Sequence, residues 1–303
     1  MGLTAKAIKY IIKCSRKYDI KGPVLTLGNQ DIYATEHDIT RWLEDEGLPV
    51  KRPAAIKYST SHTIPKINPQ AKKYIHAETF FEFIGIPSQQ YYDIDKFDFD
   101  HPKIIHDLEK PIDRRFHKFF NFIIDSGTME HIFDIRSVMD NIVHTTNLGG
   151  YVLQLIPAQN FLNHGFYQFS PTFFYDFYTA NGFEIVESYI IEQRGSIDRF
   201  HKYDQKKDYT GLLFFKPHNR LANCFLVRKI SEVKEIISPS QYIFSRSAIN
   251  HKKVLDDFSR TLLDKTVTLL RKIVPIKFQS LFFTPWVFLK RITRAKDYFD
   301  IKP

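Results

Sequence analysis

Phe122-Ile-Ile-Asp125-Ser-Gly-Thr-Met-Glu-His131 is an apolar run that stops abruptly at an acid and a glycine. A short apolar run bounded by turn residues reads as a buried strand, and the acid that ends it is delivered to an edge of the sheet. The device recurs at Gly149-Gly-Tyr-Val-Leu-Gln-Leu-Ile-Pro157, a turn feeding a second apolar strand. The chain then enters the polar and aromatic loop Asn163-His-Gly-Phe-Tyr-Gln-Phe-Ser-Pro171. Neighbouring strands that empty into polar loops at one end are how an open α/β sheet builds a ligand crevice.

The rest of the chain alternates in the same manner. Strands are expected over 23–28, 90–95, 103–108, 122–125, 151–156, 183–191 and 224–229, and helices over 39–46, 77–84, 132–145 and 172–180. Gly85 and the Asn181-Gly182 pair stand where helix ends need them. Residues 49–69, rich in Pro, Ser, Thr and Lys, read as loop. Strands alternating with helices predict an α/β fold: a Rossmann-like, mostly parallel sheet with helices on both faces.

With 43% hydrophobic and 15% aromatic residues, the 303-residue chain has ample material for a large core. No run reaches the roughly 18 apolar residues of a membrane span, and lysines interrupt the apolar residues of the N-terminus, unlike a signal peptide. Cys14 and Cys224 are the only cysteines, which argues against a disulfide framework and fits a reducing, cytoplasmic setting. The net charge of +9 is concentrated after Ser231, where 14 Lys and Arg face 7 Asp and Glu. There Val254, Leu255, Phe258, Leu262, Leu269, Leu270 and Ile273 recur at helical spacing, followed by an aromatic run, Phe278 to Leu289, flanked by basic residues. Residues 231–303 therefore read as a basic, aromatic, helical C-terminal extension: a cap on the body, or a peripheral membrane or homo-oligomer contact.

In chain order, Leu27-Gly28-Asn29-Gln30, Asp93, Asp107-Leu108, Asp125-Ser126-Gly127 and Gly149-Gly150 form a constellation that resembles the class I S-adenosylmethionine-dependent methyltransferases over residues 20–230. Asp125 to His131 followed by Gly149-Gly-Tyr-Val-Leu is the most specific part of the match, and the 163–171 loop looks like the signature of one subgroup. A single glycine stands where the family has a glycine-rich turn. The long gap from Gly28 to Asp93 makes residues 33–75 an insertion or a cover over the substrate.

The resemblance implies S-adenosyl-L-methionine as cofactor. Asp93, with Asp95 second, would hold the ribose hydroxyls, Asp107 and Leu108 the adenine, and Gly28 would let the backbone pass close to the cofactor, with Asn29 beside it also in contact. Asp125, Ser126 and Gly127 would face the methionine portion. A small-molecule or glycan hydroxyl is the expected acceptor, with His164 as first choice of base, His131 as second, and Tyr167 and Asn163 orienting it; Glu130 and His131 also suit the start of the following helix. No metal cluster is expected from sequence. Two other readings are open: a nucleic-acid methyltransferase that grips phosphate with its basic tail, and a non-catalytic relative acting as a membrane-surface or assembly partner.

Overall fold

The computed structural model describes residues 2–59, 73–194, 197–205, 215, 218–242 and 298–299. The chain opens with β1 (Gly2–Leu3), α1 (Ala5–Tyr18), β2 (Val24–Leu27), β3 (Asp31–Thr35) and α2 (Glu36–Asp45). It continues through β4 (Tyr74–His76), α3 (Ala77–Phe83), β5 (Tyr91–Asp95), β6 (Ile104–Ile105), β7 (Phe120–Asp125), α4 (Ile135–Thr145) and β8 (Thr146–Gln159). The last elements described are α5 (Pro171–Ala180), β9 (Phe183–Arg194), β10 (Ile197–Lys202), β11 (Arg220–Lys229) and β12 (Tyr298–Phe299).

One sheet runs in the order β12-β10-β9-β11-β8-β7-β2-β5-β6, and a smaller one in the order β1-β3-β4. The side of the large sheet from β8 to its edge strand β6 is parallel. Beyond it β11 lies antiparallel to both β8 and β9. The arrangement is a Rossmann-like α/β fold. Because strands alternate faces with period two, Val24, Phe122, Ile124, Leu153 and Cys224 pack against α1, α2 and α3 on one side. Leu25, Leu27, Ile123, Val152 and Phe225 pack against α4 and α5 on the other. The fully buried middle strands explain why the sequence shows continuous apolar runs instead of alternation.

Two charged side chains tie the helical layers to the sheet. Glu187 on β9 accepts hydrogen bonds from Tyr10 (2.8 Å) and Tyr18 (2.5 Å) of α1 and pairs with Lys17 at 2.6 Å. On the other face the buried Lys229, at the end of β11, donates to the carbonyls of Val143 and Thr146, each at 3.0 Å. Those carbonyls lie at the C-terminus of α4, where a helix leaves acceptors unpaired and favours a cation.

Several element boundaries differ from the sequence reading. The strand expected over 103–108 is reduced to β6, because the chain turns at Asp107–Lys110, where the Lys110 N–H donates to the Asp107 carbonyl. The helix expected from 132 begins at Ile135, capped by Asp134, whose Oδ1 accepts the Ser137 N–H; Met129–His131 form a separate 3-10 turn. Within 33–75, β3, α2 and β4 build the smaller sheet and part of the α1-side layer, and residues 60–72 lie outside the described ones. Of the C-terminal extension, residues 231–242 and 298–299 are described, and residues 231–241 contain no helix or strand. Residues 231–242 bond to the body: Asn181 exchanges hydrogen bonds with both backbone groups of Ile237, and the Tyr242 N–H donates to Asp176. The helical and aromatic segments expected from 254 to 289 lie outside the described residues. No helix among the described residues is long and apolar enough to cross a membrane.

Candidate functional site

The chain adds β5 and β6 on one side of β2 and then returns to add β7 and β8 on the other. The gap between β2 and β7 is thus a topological switch point, and ligands of open α/β sheets bind beyond the carboxyl ends of strands there. The register places those ends level: Leu27 is paired with both Ile94 and Asp125, and Asp125 with Gln154. A cavity of about 440 Å³ opens at this edge, within the range of sites for small molecules and cofactors.

Gly28 stands at its floor with φ 71°, a left-handed conformation that suits glycine. Its N–H donates to Ile94 O at 2.8 Å, which holds the turn against β5. The loops after β2 and β7 are joined: Thr128 Oγ1 donates to Leu27 O at 2.5 Å and Gln30 Nε2 to the same oxygen at 2.7 Å. Asp95, at the end of β5, lines the cavity beside Lys96 and Phe97, with Asp107, Leu108 and Glu109 adjoining. Asp107 pairs with Lys96 at 3.0 Å, and that bond holds its carboxyl below the usual range, so it presents as an anion. Thr128, His131, Ile132, Phe133 and Phe166 complete the other wall.

Asp93 is placed differently from expectation. It lies in mid-strand, buried, on the face of β5 that carries Tyr91, and its Oδ1 accepts the Lys103 N–H at 2.8 Å. Its carboxylate organises the link to β6, and burial raises its pKa. Asp95, one alternation further along the strand, is the carboxylate that reaches the cavity. Asp125 is likewise enclosed: its Oδ1 accepts the N–H groups of Thr128 (3.0 Å) and Met129 (3.4 Å), and it is 0% exposed. It therefore shapes the Ser126-Gly127 turn, where Gly127 has φ 84°, and is not open to a bound methionine portion. Burial pushes Asp125 up to about 7. Ser126 is buried, and Asn29 is half-buried beside the cavity floor.

The 163–171 loop folds over the end of β7. Asn163, at φ 61°, turns the chain, and the N–H groups of Phe166 and Tyr167 donate to Glu130 O at 2.8 and 3.2 Å. Gly165 is required there, since a Cβ would stand 2.7 Å from the same oxygen. Tyr167 spends its hydroxyl proton on Phe133 O at 2.9 Å, a tie between loops that takes its donor away from an acceptor. The loop brings His164 to His131, ring centroids 5.0 Å apart, above the carboxylate of Glu130. Glu130 is 0% exposed, and neither of its oxygens has a hydrogen-bond partner. Burial, reinforced by the nearby Asp125, pushes it up to about 8. His131 is shifted down by burial and by His164.

The structure brings the two histidines named from sequence, His131 and His164, together at this edge of the sheet. Sequence reasoning missed the aromatic rim formed by Phe97, Phe133 and Phe166, the joining role of Thr128, and the depth of Glu130. A signal for Glu130 exists in retrospect: it is an acid set between Met129 and His131 in a chain segment just leaving the core.

No protein-family model matches the sequence, and neither does any curated protein. Among solved structures the chain is similar to the CMeT domain of the citrinin polyketide synthase, at 13% identity and a TM-score of 0.35, covering 76% of this chain and 52% of that one. It thus spans about half the length of that structure. It is also similar to 1,6-didemethyltoxoflavin-N1-methyltransferase of Burkholderia thailandensis, solved with S-adenosylhomocysteine (10%, 0.35, 75% and 78%). A third is the YcgJ protein of Bacillus subtilis (10%, 0.36, 76% and 100%). Likenesses at this level say nothing about chemistry, which rests on this chain's own residues.

Proposed function

We propose that the chain is an S-adenosylmethionine-dependent methyltransferase whose acceptor is a hydroxyl of a small molecule or glycan. The observation that carries the reading is the cavity at the switch point, with Asp95 at a strand end across from the Gly28 turn. A ribose presents two adjacent hydroxyls, and a carboxylate at a strand end can accept from both, as it does for dinucleotides. Asp95 takes that role here. Leu108 and Ile94 offer apolar walls for a purine, Asp107 an acceptor for its amino group, and Phe97 a ring to stack on it.

The chemistry is an in-line displacement. The acceptor oxygen forms a bond to the methyl carbon, the carbon–sulfur bond breaks with its electron pair left on sulfur, and the acceptor proton departs. The cofactor supplies the electrophile, and the protein's share is alignment, worth on the order of 7–11 kcal/mol, plus removal of the proton, worth roughly 100- to 10,000-fold. The Glu130, His131 and His164 cluster borders the same cavity through His131. It is assigned the proton's departure, and the exposed rings of Phe133 and Phe166 are suited to stack on the apolar face of a sugar or aromatic acceptor.

Calorimetric titration with S-adenosylmethionine and S-adenosylhomocysteine tests the reading. Both should bind saturably, Asp95→Ala should weaken each by at least roughly tenfold, the loss of one charge-assisted hydrogen bond, and Asp93→Asn should leave affinity unchanged. Failure of folded wild-type protein to bind either compound would sink the reading.

A further inference from the structure

Glu130, His131 and His164 bring one carboxylate oxygen and two imidazole nitrogens within 4.8 Å of one another. Nε2 of His164 lies 3.4 Å and Nε2 of His131 3.9 Å from Glu130 Oε1. Two ligands held at about 2.1 Å by one ion stand roughly 3.0–3.4 Å apart in octahedral or tetrahedral geometry, so small movements of the imidazoles would close the set around a cation.

A buried carboxylate with no hydrogen bond on either oxygen is costly and calls for compensation, and at Glu130 both oxygens are in this state with the side chain 0% exposed. The surrounding loop is built to supply the compensation. The left-handed Asn163, the absent Cβ of Gly165 and the two N–H bonds to Glu130 O all serve to seat His164 over that carboxylate. The partially exposed imidazoles leave the outer side of the cluster open to water.

We propose that Glu130, His131 and His164 bind one divalent first-row transition ion, such as zinc, leaving outward positions for water or an oxygen ligand. One carboxylate and two imidazoles form a borderline donor set, which suits zinc, cobalt, iron or manganese; calcium and magnesium prefer an all-oxygen shell. Ion binding is independent of methyl transfer. Its catalytic consequence rests on the methyltransferase reading: the ion, not a free imidazole, would lower the pKa of an acceptor hydroxyl so that its proton leaves to solvent.

The test uses the full chain, stripped with a chelator and titrated with cobalt(II) while the visible d–d bands are followed, with zinc stoichiometry measured by elemental analysis. Wild type should take up one equivalent. Glu130→Gln and His164→Ala should each weaken it by on the order of 100-fold, since loss of a mere supporting partner already costs 10- to 100-fold. The exposed, stacked pair His117 and His144, 5.2 Å apart, is the alternative imidazole site, and His117→Ala with His144→Ala should change nothing. If Glu130→Gln fails to fold by circular dichroism, His164→Ala, on an exposed loop, decides. No uptake by folded wild type, uptake unaffected by His164→Ala, or uptake abolished by the His117/His144 changes would each overturn the proposal. Binding of S-adenosylmethionine, measured separately, fails or survives without bearing on this result.

Discussion

A single carboxylate shows how burial converts position into chemistry. Asp125 is raised from its ordinary 3.8 to about 7 by burial, against the opposing pull of two backbone N–H groups. The folded state therefore keeps a proton that the unfolded chain releases. That contribution to stability is complete below about pH 3.8 and is lost as pH rises through about 7. Asp125→Asn retains an Oδ1 for Thr128 and Met129 but cannot ionise. In chelator-treated protein without cofactor, the variant's melting temperature should therefore decline less than that of wild type between pH 5 and 8. Parallel curves would show that Asp125 is ionised in the fold. Asp93 and Asp95 make the complementary point: they sit two residues apart on one strand, yet one organises the backbone and the other meets the cavity.

Among the elements, α4 follows directly from the turn that carries Glu130, so its anchoring fixes that turn. Its C-terminus is held by Lys229 through the carbonyls of Val143 and Thr146, with Glu232 completing the pair at 3.0 Å. Lys229→Met preserves volume but strands two buried carbonyls, each worth about 1–3 kcal/mol. Urea denaturation should show a loss of about 2–4 kcal/mol, net of the desolvation that the lysine no longer suffers. A loss below about 0.5 kcal/mol, the size of an ordinary surface change, would mean that water satisfies those carbonyls. On the opposite face Glu187 gathers two tyrosines and a lysine from α1, so the first helix is fastened to a strand that enters the chain much later.

For the molecule as a whole, the body does not stop at β11. Residues 231–242 bond to α4 and α5 through Arg136, Asp176 and Asn181. Chains ending at residue 230 and at residue 242 should therefore differ in stability by about 2 kcal/mol or more, since these four hydrogen bonds are worth about 0.5–1.5 kcal/mol each. The difference should appear as a lower urea midpoint for the shorter chain. Equal midpoints would show that the segment merely lies on the surface.

The order of strands and helices was legible in the sequence because fully buried parallel strands demand continuous apolar runs, such as Phe122-Ile-Ile and Tyr151-Val-Leu. The edge of the sheet that carries the cavity was legible for a related reason: polar and glycine residues crowd where those runs end. Which carboxylate faces a ligand was not legible. Asp93, Asp95 and Asp125 are alike as letters, and their exposure depends on register between strands far apart in sequence. The meeting of Glu130 with His164 likewise needed the loop after β8 to fold back across β7, a contact made by Gly165 and two backbone N–H groups. Local sequence fixes strand and helix because their periodicity is local, whereas burial and proximity, which set charge state and ligand geometry, belong only to the assembled chain.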